Sequence, residues 1–127
     1  MKIILIRHGI ADVFADTDME RHLTTEGRIR LNAAFTDFVA TTELKDFTLY
    51  ASPAARTMET AELLSEKTGL AVHVVESLYD TSYTDFIASL TKNSIIVGHE
   101  PYLSDALYKL GGIRTTVSRG TIHVMEV

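Results

Sequence analysis

The chain has 127 residues, 12 Lys and Arg against 17 Asp and Glu for a formal charge of -5, 46% apolar residues and no cysteine. That composition suffices to bury a core and is neither disordered nor repetitive. It excludes disulfides, thiolate metal sites and thiol nucleophiles, and an acidic balance without any Lys/Arg run argues against nucleic-acid binding through phosphate neutralisation. Only four consecutive apolar residues follow Lys2 before Arg7 and His8, too few for a signal-peptide core or a membrane span. A single domain over residues 1–127, cytoplasmic, with neither nucleic acid nor membrane as a partner, is the expectation.

Taken in chain order, Ile3 to Ile6 is a continuous apolar run of the buried-strand kind, and Arg7-His8-Gly9 follows it directly. Residues 9–23 then form a connection well beyond the roughly 2–6 residues usual in such folds, and long loops of that sort are often functional. A helix beginning near Thr24 is predicted by the spacing of Leu31, Ala34, Phe35 and Phe38. Phe47 to Ala51 is a second strand. Ser52-Pro53 reads as a helix start, with Ser52 as N-cap and Pro53 in the first turn, and that helix runs to about Lys67, where Gly69 stops it. Ala71 to Val75 is a third strand, and a short helix over Thr84 to Thr91 puts Phe86, Ile87 and Leu90 on one face. Ser94 to Val97 is a fourth strand. Glu100-Pro101 opens a helix carrying Leu103, Ala106, Leu107 and Leu110, and after Gly111-Gly112 the alternation of Thr121 to Val127 marks a last strand. Strand and helix alternate throughout, which predicts right-handed crossovers and an α/β fold of three layers, α/β/α, with a mostly parallel central sheet.

In such a sheet ligands bind beyond the carboxyl ends of the strands, where loops converge and helix N-termini point. The first strand delivers Arg7-His8-Gly9 to that rim, the second Ser52-Pro53-Ala54-Ala55-Arg56, the fourth Gly98-His99-Glu100-Pro101. Two arginines and two histidines therefore meet in an acidic protein. Guanidinium forks bind phosphoryl oxygens and offset the charge that builds on them in the transition state, while a neutral imidazole can take the phosphoryl group covalently. No metal or other cofactor is expected, because the arginines supply the positive charge.

These three motifs in order, with Arg21-His22-Leu23-Thr24-Thr25-Glu26-Gly27 and Leu78-Tyr79 as supporting pieces, resemble the histidine phosphatase superfamily, which includes the phosphoglycerate mutases, and within it the small SixA-type branch of phosphohistidine phosphatases. The resemblance covers nearly the whole chain. It implies the phosphoglycerate mutase-like fold, His8 as the phosphorylated nucleophile, a phosphate pocket completed by Arg7, Arg56 and His99, and Arg21 reaching the substrate. Larger members place a Glu two residues after a Leu as proton donor; here Leu78-Tyr79-Asp80 puts Asp80 there, with Glu76 as a competitor and no acid at all as a third possibility. An alkoxide leaving group needs a proton, whereas a phosphoimidazole protonated on its distal nitrogen leaves as neutral imidazole, so a weak acid position leans toward a phosphohistidine-bearing protein as substrate. The chain also lacks room for a cap over the site, which implies an open mouth.

Other readings attach to the same residues. Phosphate monoesters of small metabolites and a non-hydrolytic phospho-ligand module are the alternatives in function. A receiver domain, of similar length, would need clustered carboxylates where the first strand here ends in Arg and His. The alternative for Arg56 is a pair with Glu59 or Glu62, and for Arg21 a pair with Asp18 or Glu20. His22, His73 and His123 read as structural or surface histidines, and Asp12, Asp16, Asp18 and Glu20 lack the Gly and the bidentate Glu of a calcium loop.

Overall fold

The computed structural model describes residues 1–127. Its strands are β1 (Lys2–Arg7), β2 (Thr48–Ala51), β3 (Val72–Val74), β4 (Ser94–Gly98) and β5 (Ile122–Glu126), and its helices α1 (Thr25–Thr41), α2 (Ala55–Thr68), α3 (Thr84–Ser89) and α4 (Tyr102–Gly111). The strands form one sheet in the order β3-β2-β4-β1-β5. β4 pairs in parallel with both β1 and β2, β2 with β3, and only β5 runs antiparallel, against β1. That reversal has a local cause. After α4 the chain returns to the carboxyl end of β1, where the Gly120 N–H donates to the carbonyls of Arg7 and His8 at 3.0 Å each, so the last strand can only run back down the edge.

The continuous apolar runs are explained by burial on both faces, since alternate side chains of a strand point to opposite sides. Ile4 and Ile6 of β1, with Leu49, Ile95 and Val97, pack under Leu31 and Phe35 of α1 and Ala61 and Leu64 of α2. Ile3 and Leu5, with Ile96, face the opposite way onto Ile87 of α3, Leu103, Ala106 and Leu107 of α4, and Met125 of β5. These two cores make the three-layer α/β/α architecture that the alternation of elements predicts. On the edge strand the buried member of the alternation is Met125, at 2% exposure, while Val124 is 49% exposed.

Helix ends differ in detail from the sequence reading. Ser52 does not cap α2 and Pro53 is not in it: the helix begins at Ala55, with Ala54 at the N-cap and no capping side chain, because the Ser52 hydroxyl lies 2.8 Å from His99 Nε2. The helix after Pro101 begins at Tyr102, and its first turn is held by the Glu100 carboxylate, which accepts from the Ser104 N–H and hydroxyl, both at 2.8 Å. α3 ends at Ser89, two residues short of the predicted Thr91. α1 begins where expected, at Thr25, and Thr24 caps it, its hydroxyl accepting the Gly27 N–H at 2.9 Å. Gly69, in the left-handed region, ends α2.

No helix of the protein is long and apolar enough to cross a membrane.

Candidate active site

Register places the site. Arg7 stands opposite Gly98 and Ala51 opposite Val97, so the residues that follow, His8, His99 and Ser52, leave the sheet side by side. The His8 N–H donates to the Gly98 carbonyl and the Ser52 N–H to the Val97 carbonyl, both at 3.2 Å, continuing the ladder by one residue. Above them opens a cavity of about 530 Å³ lined by Arg7, His8, Asp18, Arg21, Arg56, Tyr79, Asp80, His99, Glu100, Tyr102 and Arg119. All six candidate residues from the sequence, Arg7, His8, Arg21, Arg56, Asp80 and His99, are on its wall. Glu76 is not: it lies in a 3-10 turn over Glu76–Leu78, exposed and away from the cavity.

His8 is buried and its tautomer is set by one bond. Nδ1 lies 2.8 Å from the Gly9 carbonyl oxygen, which can only accept, so Nδ1 carries the proton and Nε2 the lone pair. Nε2 has no protein partner and is not sealed from the cavity, since only Nε of Arg7 and Nε of Arg56 are buried without one. Burial, then the charges of Arg56, Arg7 and Arg21, lower the His8 pKa to about 4. The ring is neutral at pH 7.

His99 sits 5.5 Å from His8, ring centre to ring centre. Its Nδ1 is 3.4 Å from Nη2 of Arg56, which donates, so Nε2–H is the donor toward Ser52. Burial and the Arg56 charge lower its pKa to about 3. Its backbone is held as well: the His99 N–H donates to the Tyr83 hydroxyl at 2.9 Å, and that hydroxyl donates to the Leu78 carbonyl at 2.6 Å. Gly98 is required by this arrangement, because a Cβ there would collide with the Tyr83 hydroxyl.

The arginines are anchored at one end and free at another. Arg7 donates through Nη1 to the Val117 carbonyl at 2.9 Å. Arg56, in the first turn of α2, donates through Nη1 to the Asp18 carbonyl at 2.8 Å and through Nη2 to Asp18 Oδ2 at 3.0 Å. Its partner is therefore Asp18 and neither Glu59 nor Glu62. Glu59 instead receives His22 Nδ1 and the Leu23 N–H at 2.8 Å each, and Arg28 at 3.0 Å. The unpartnered Nε groups of both arginines are buried donors, a costly arrangement for protein alone and a favourable one for an anion.

Asp18 was outside the sequence-based candidates for the site, yet it organises the mouth. The loop between β1 and α1 folds back through an Ala11–Leu23 bridge and a 3-10 turn over Asp18–Glu20. There Asp18 accepts from Arg56, from Arg21 Nη1 at 3.2 Å, and from the Tyr79 hydroxyl at 2.6 Å. Those bonds, Tyr79 first, hold its carboxyl well below the usual range, so it is an anion and not a proton donor. Arg21 thus makes the Asp18 pair weighed for it and also lines the cavity. Asp80 lines the cavity too, exposed, with the Thr81 hydroxyl donating to Oδ1 at 3.3 Å. Arg119 and Tyr102 were also missed. For Arg119 the available signal was the Arg119-Gly120 pair just before the last strand, where Gly120 takes a φ of 79°. The four carboxylates of the long loop do not converge, and no cluster of three or more His, Asp or Glu side chains in the protein could hold a metal ion.

The solved structures that resemble this fold are informative once this geometry is in view. The histidine phosphatase SixA complexed with tungstate superposes with a TM-score of 0.84 at 19% identity, over 98% of this chain and 86% of the other. A protein assigned as SixA from Agrobacterium tumefaciens gives 0.79 at 21% identity, over 97% and 89%, and one assigned as an α-ribazole-5'-phosphate phosphatase from Escherichia coli gives 0.80 at 17% identity, over 100% and 91%. No curated protein sequence matches the chain. The family model that describes the histidine phosphatase superfamily (branch 1) matches residues 3–111, most of the chain and all three strand-end motifs, and the protein belongs to that superfamily.

Proposed function

We propose that the protein is a phosphatase that passes the phosphoryl group through His8 and acts on phosphohistidine carried by a protein. The observation that carries this reading is the His8 tautomer: an Nδ1–H tied to the Gly9 carbonyl at 2.8 Å leaves the Nε2 lone pair open to a cavity walled by Arg7, Arg56 and His99. In the first step Nε2 bonds to phosphorus as the P–N bond of the substrate breaks. The leaving imidazole keeps that electron pair and, already protonated on its other nitrogen, departs neutral. In the second step water attacks the phosphorus on His8, the P–N bond breaks, Nε2 recovers its lone pair, and phosphate leaves with the water proton shared between it and solvent. Arg7 and Arg56 offset the charge on the phosphoryl oxygens in both steps. His99, kept neutral first by burial and then by the Arg56 charge, accepts from Arg56 Nη2 at Nδ1 and so steadies that guanidinium beside the phosphoryl oxygens. Arg21 reaches the substrate from the mouth.

A leaving group that needs no proton fits this mouth, where Tyr79, Arg56 and Arg21 hold the Asp18 carboxyl ionised. A small phosphate monoester is the second reading, favoured by Asp80 on the cavity wall, where it could protonate an alkoxide. Phosphate release in EDTA from a phosphohistidine peptide and from an aryl phosphate, for the wild type and His8→Ala, separates the two. Faster release from phosphohistidine, lost by at least about a thousandfold in His8→Ala, is the expected result. Turnover of the ester alone would move the assignment to monoesters, and turnover that survives His8→Ala would remove the covalent route.

A further inference from the structure

The wall residues Asp18 and Arg21 also belong to a second feature, a shallow groove of about 440 Å³ that they share with Val13, Ala15, Asp16 and Thr17. Groove and catalytic cavity are thus continuous through the Asp18–Arg21 pair. Val13, which lines the groove, and Phe14, next to it in the chain, are the two most exposed large apolar side chains of the protein, at 72% and 90%. A water-exposed Phe costs solubility without adding to the core, and a lone exposed apolar side chain is ordinary, but two in succession, one of them lining a groove that joins the catalytic cavity, are what a docking contact requires.

The segment that carries them is not a free tip. It is closed at its base by the Ala11–Leu23 bridge, by the Asp12 N–H donating to the His22 carbonyl at 2.9 Å, and by Arg21 Nε donating to the Asp12 carbonyl at 2.7 Å. Asp18 ties its far side to Arg56 on α2 and to Tyr79. The segment is therefore tied at both ends next to the site, which limits the ordering entropy it loses on contact. The same segment carries Asp12, Asp16 and Glu20, all exposed and none paired with a cation. Residues 12–20 contain no Lys or Arg.

We infer that this groove docks the protein substrate itself, through an apolar side chain seated against Val13 and Phe14 and flanked by Lys or Arg residues facing Asp12, Asp16 and Glu20. The inference rests on the phosphohistidine reading given above and adds to it the surface around the modified histidine. Apolar contact supplies affinity, and the unpaired carboxylates select a basic surface and raise its association rate. Discrimination is then made by residues that never touch the phosphoryl group.

The test uses the full chain and three probes: free phosphohistidine, a phosphohistidine peptide with Leu and Lys flanks, and one with Ser and Glu flanks. Variants are Phe14→Ser and Asp16→Lys, both at exposed positions outside the cavity. The wild type is expected to show a kcat/KM at least about tenfold higher for the Leu/Lys peptide than for the Ser/Glu peptide, with each variant losing most of that ratio and hydrolysing free phosphohistidine at the wild-type rate. Equal rates for the two peptides in the wild type, or a preference that survives both substitutions, overturn the docking role and leave the phosphohistidine assignment standing. If none of the three probes is hydrolysed while an aryl phosphate is, the phosphohistidine assignment fails and the docking role falls with it.

Discussion

The chemistry available to His8 is set by its surroundings more than by its identity. A histidine in water titrates near 6.5 and is partly cationic at neutral pH; here burial and three arginines bring the value to about 4, and burial, with Arg56 foremost among the charges, brings His99 to about 3. Both rings are expected to give the NMR signature of neutral imidazole at pH 5.5; a ring at either position that titrates near 6.5 would contradict the burial argument. Tyr83 shows the same dependence on context. Its hydroxyl is buried between the His99 N–H and the Leu78 carbonyl, so Tyr83→Phe leaves a buried donor and a buried acceptor unmatched. A loss of about 1–3 kcal/mol is expected from urea denaturation, together with a fall in kcat as His99 loses its backbone anchor.

Among the elements, the long loop after β1 depends on how closely α1 approaches it. The Thr24 N–H donates to the Ile10 carbonyl at 2.9 Å, and Gly27 packs so tightly on Ile10 that a Cβ there would collide with the same carbonyl oxygen. Alanine is a better helix former than glycine by nearly 1 kcal/mol, yet Gly27→Ala is expected to destabilise the protein by about 1–3 kcal/mol, because backbone must move to admit the methyl group. Denaturant midpoints measure it, and a stabilised variant would refute the close contact. Moving that carbonyl also displaces the loop that holds Asp18 and Arg21, so KM for any phosphorylated substrate should rise as well. Gly69→Ala, in contrast, meets no neighbour within 4 Å and costs only the strain of its left-handed φ of 78°.

At the scale of the whole molecule the site makes the fold sensitive to acid. His8 and His99 have folded pKa values of about 4 and about 3 against 6.5 in the unfolded chain. Between those values the unfolded chain binds protons that the folded one does not, so stability falls as pH drops from 6.5 toward 4 and is fully present above 6.5. Tm is expected to decline over that window, and less steeply in His8→Ala, which removes one of the two groups. A Tm independent of pH between 4 and 6.5 would show that these rings are not held neutral. Asp18 adds a loss at lower pH, reduced because its side chain is half exposed and its ion pairs are screened by solvent.

Local patterning was enough for the layers, the strand runs, the helix faces and the residues at the strand ends. A four-residue apolar run such as Ile3 to Ile6 is only stable with both faces covered, and a strand that ends in Arg-His-Gly must present those side chains at the sheet's rim. Arg7, His8, Arg56 and His99 were legible for that reason, since each lies within a few residues of a strand end. The contacts between segments distant in sequence were not. Nothing near Asp18 in the sequence indicates that Arg56 and Tyr79 meet it, 38 and 61 residues further on, and Ser52, which has the local chemistry of a helix cap, is taken by His99. The antiparallel course of β5 likewise depends on where the chain stands after α4, with Gly120 bonded at the end of β1. Short-range chemistry determined which groups could act; the tertiary structure decided which of them touch, because hydrogen bonds between distant segments are chosen by packing and not by sequence proximity.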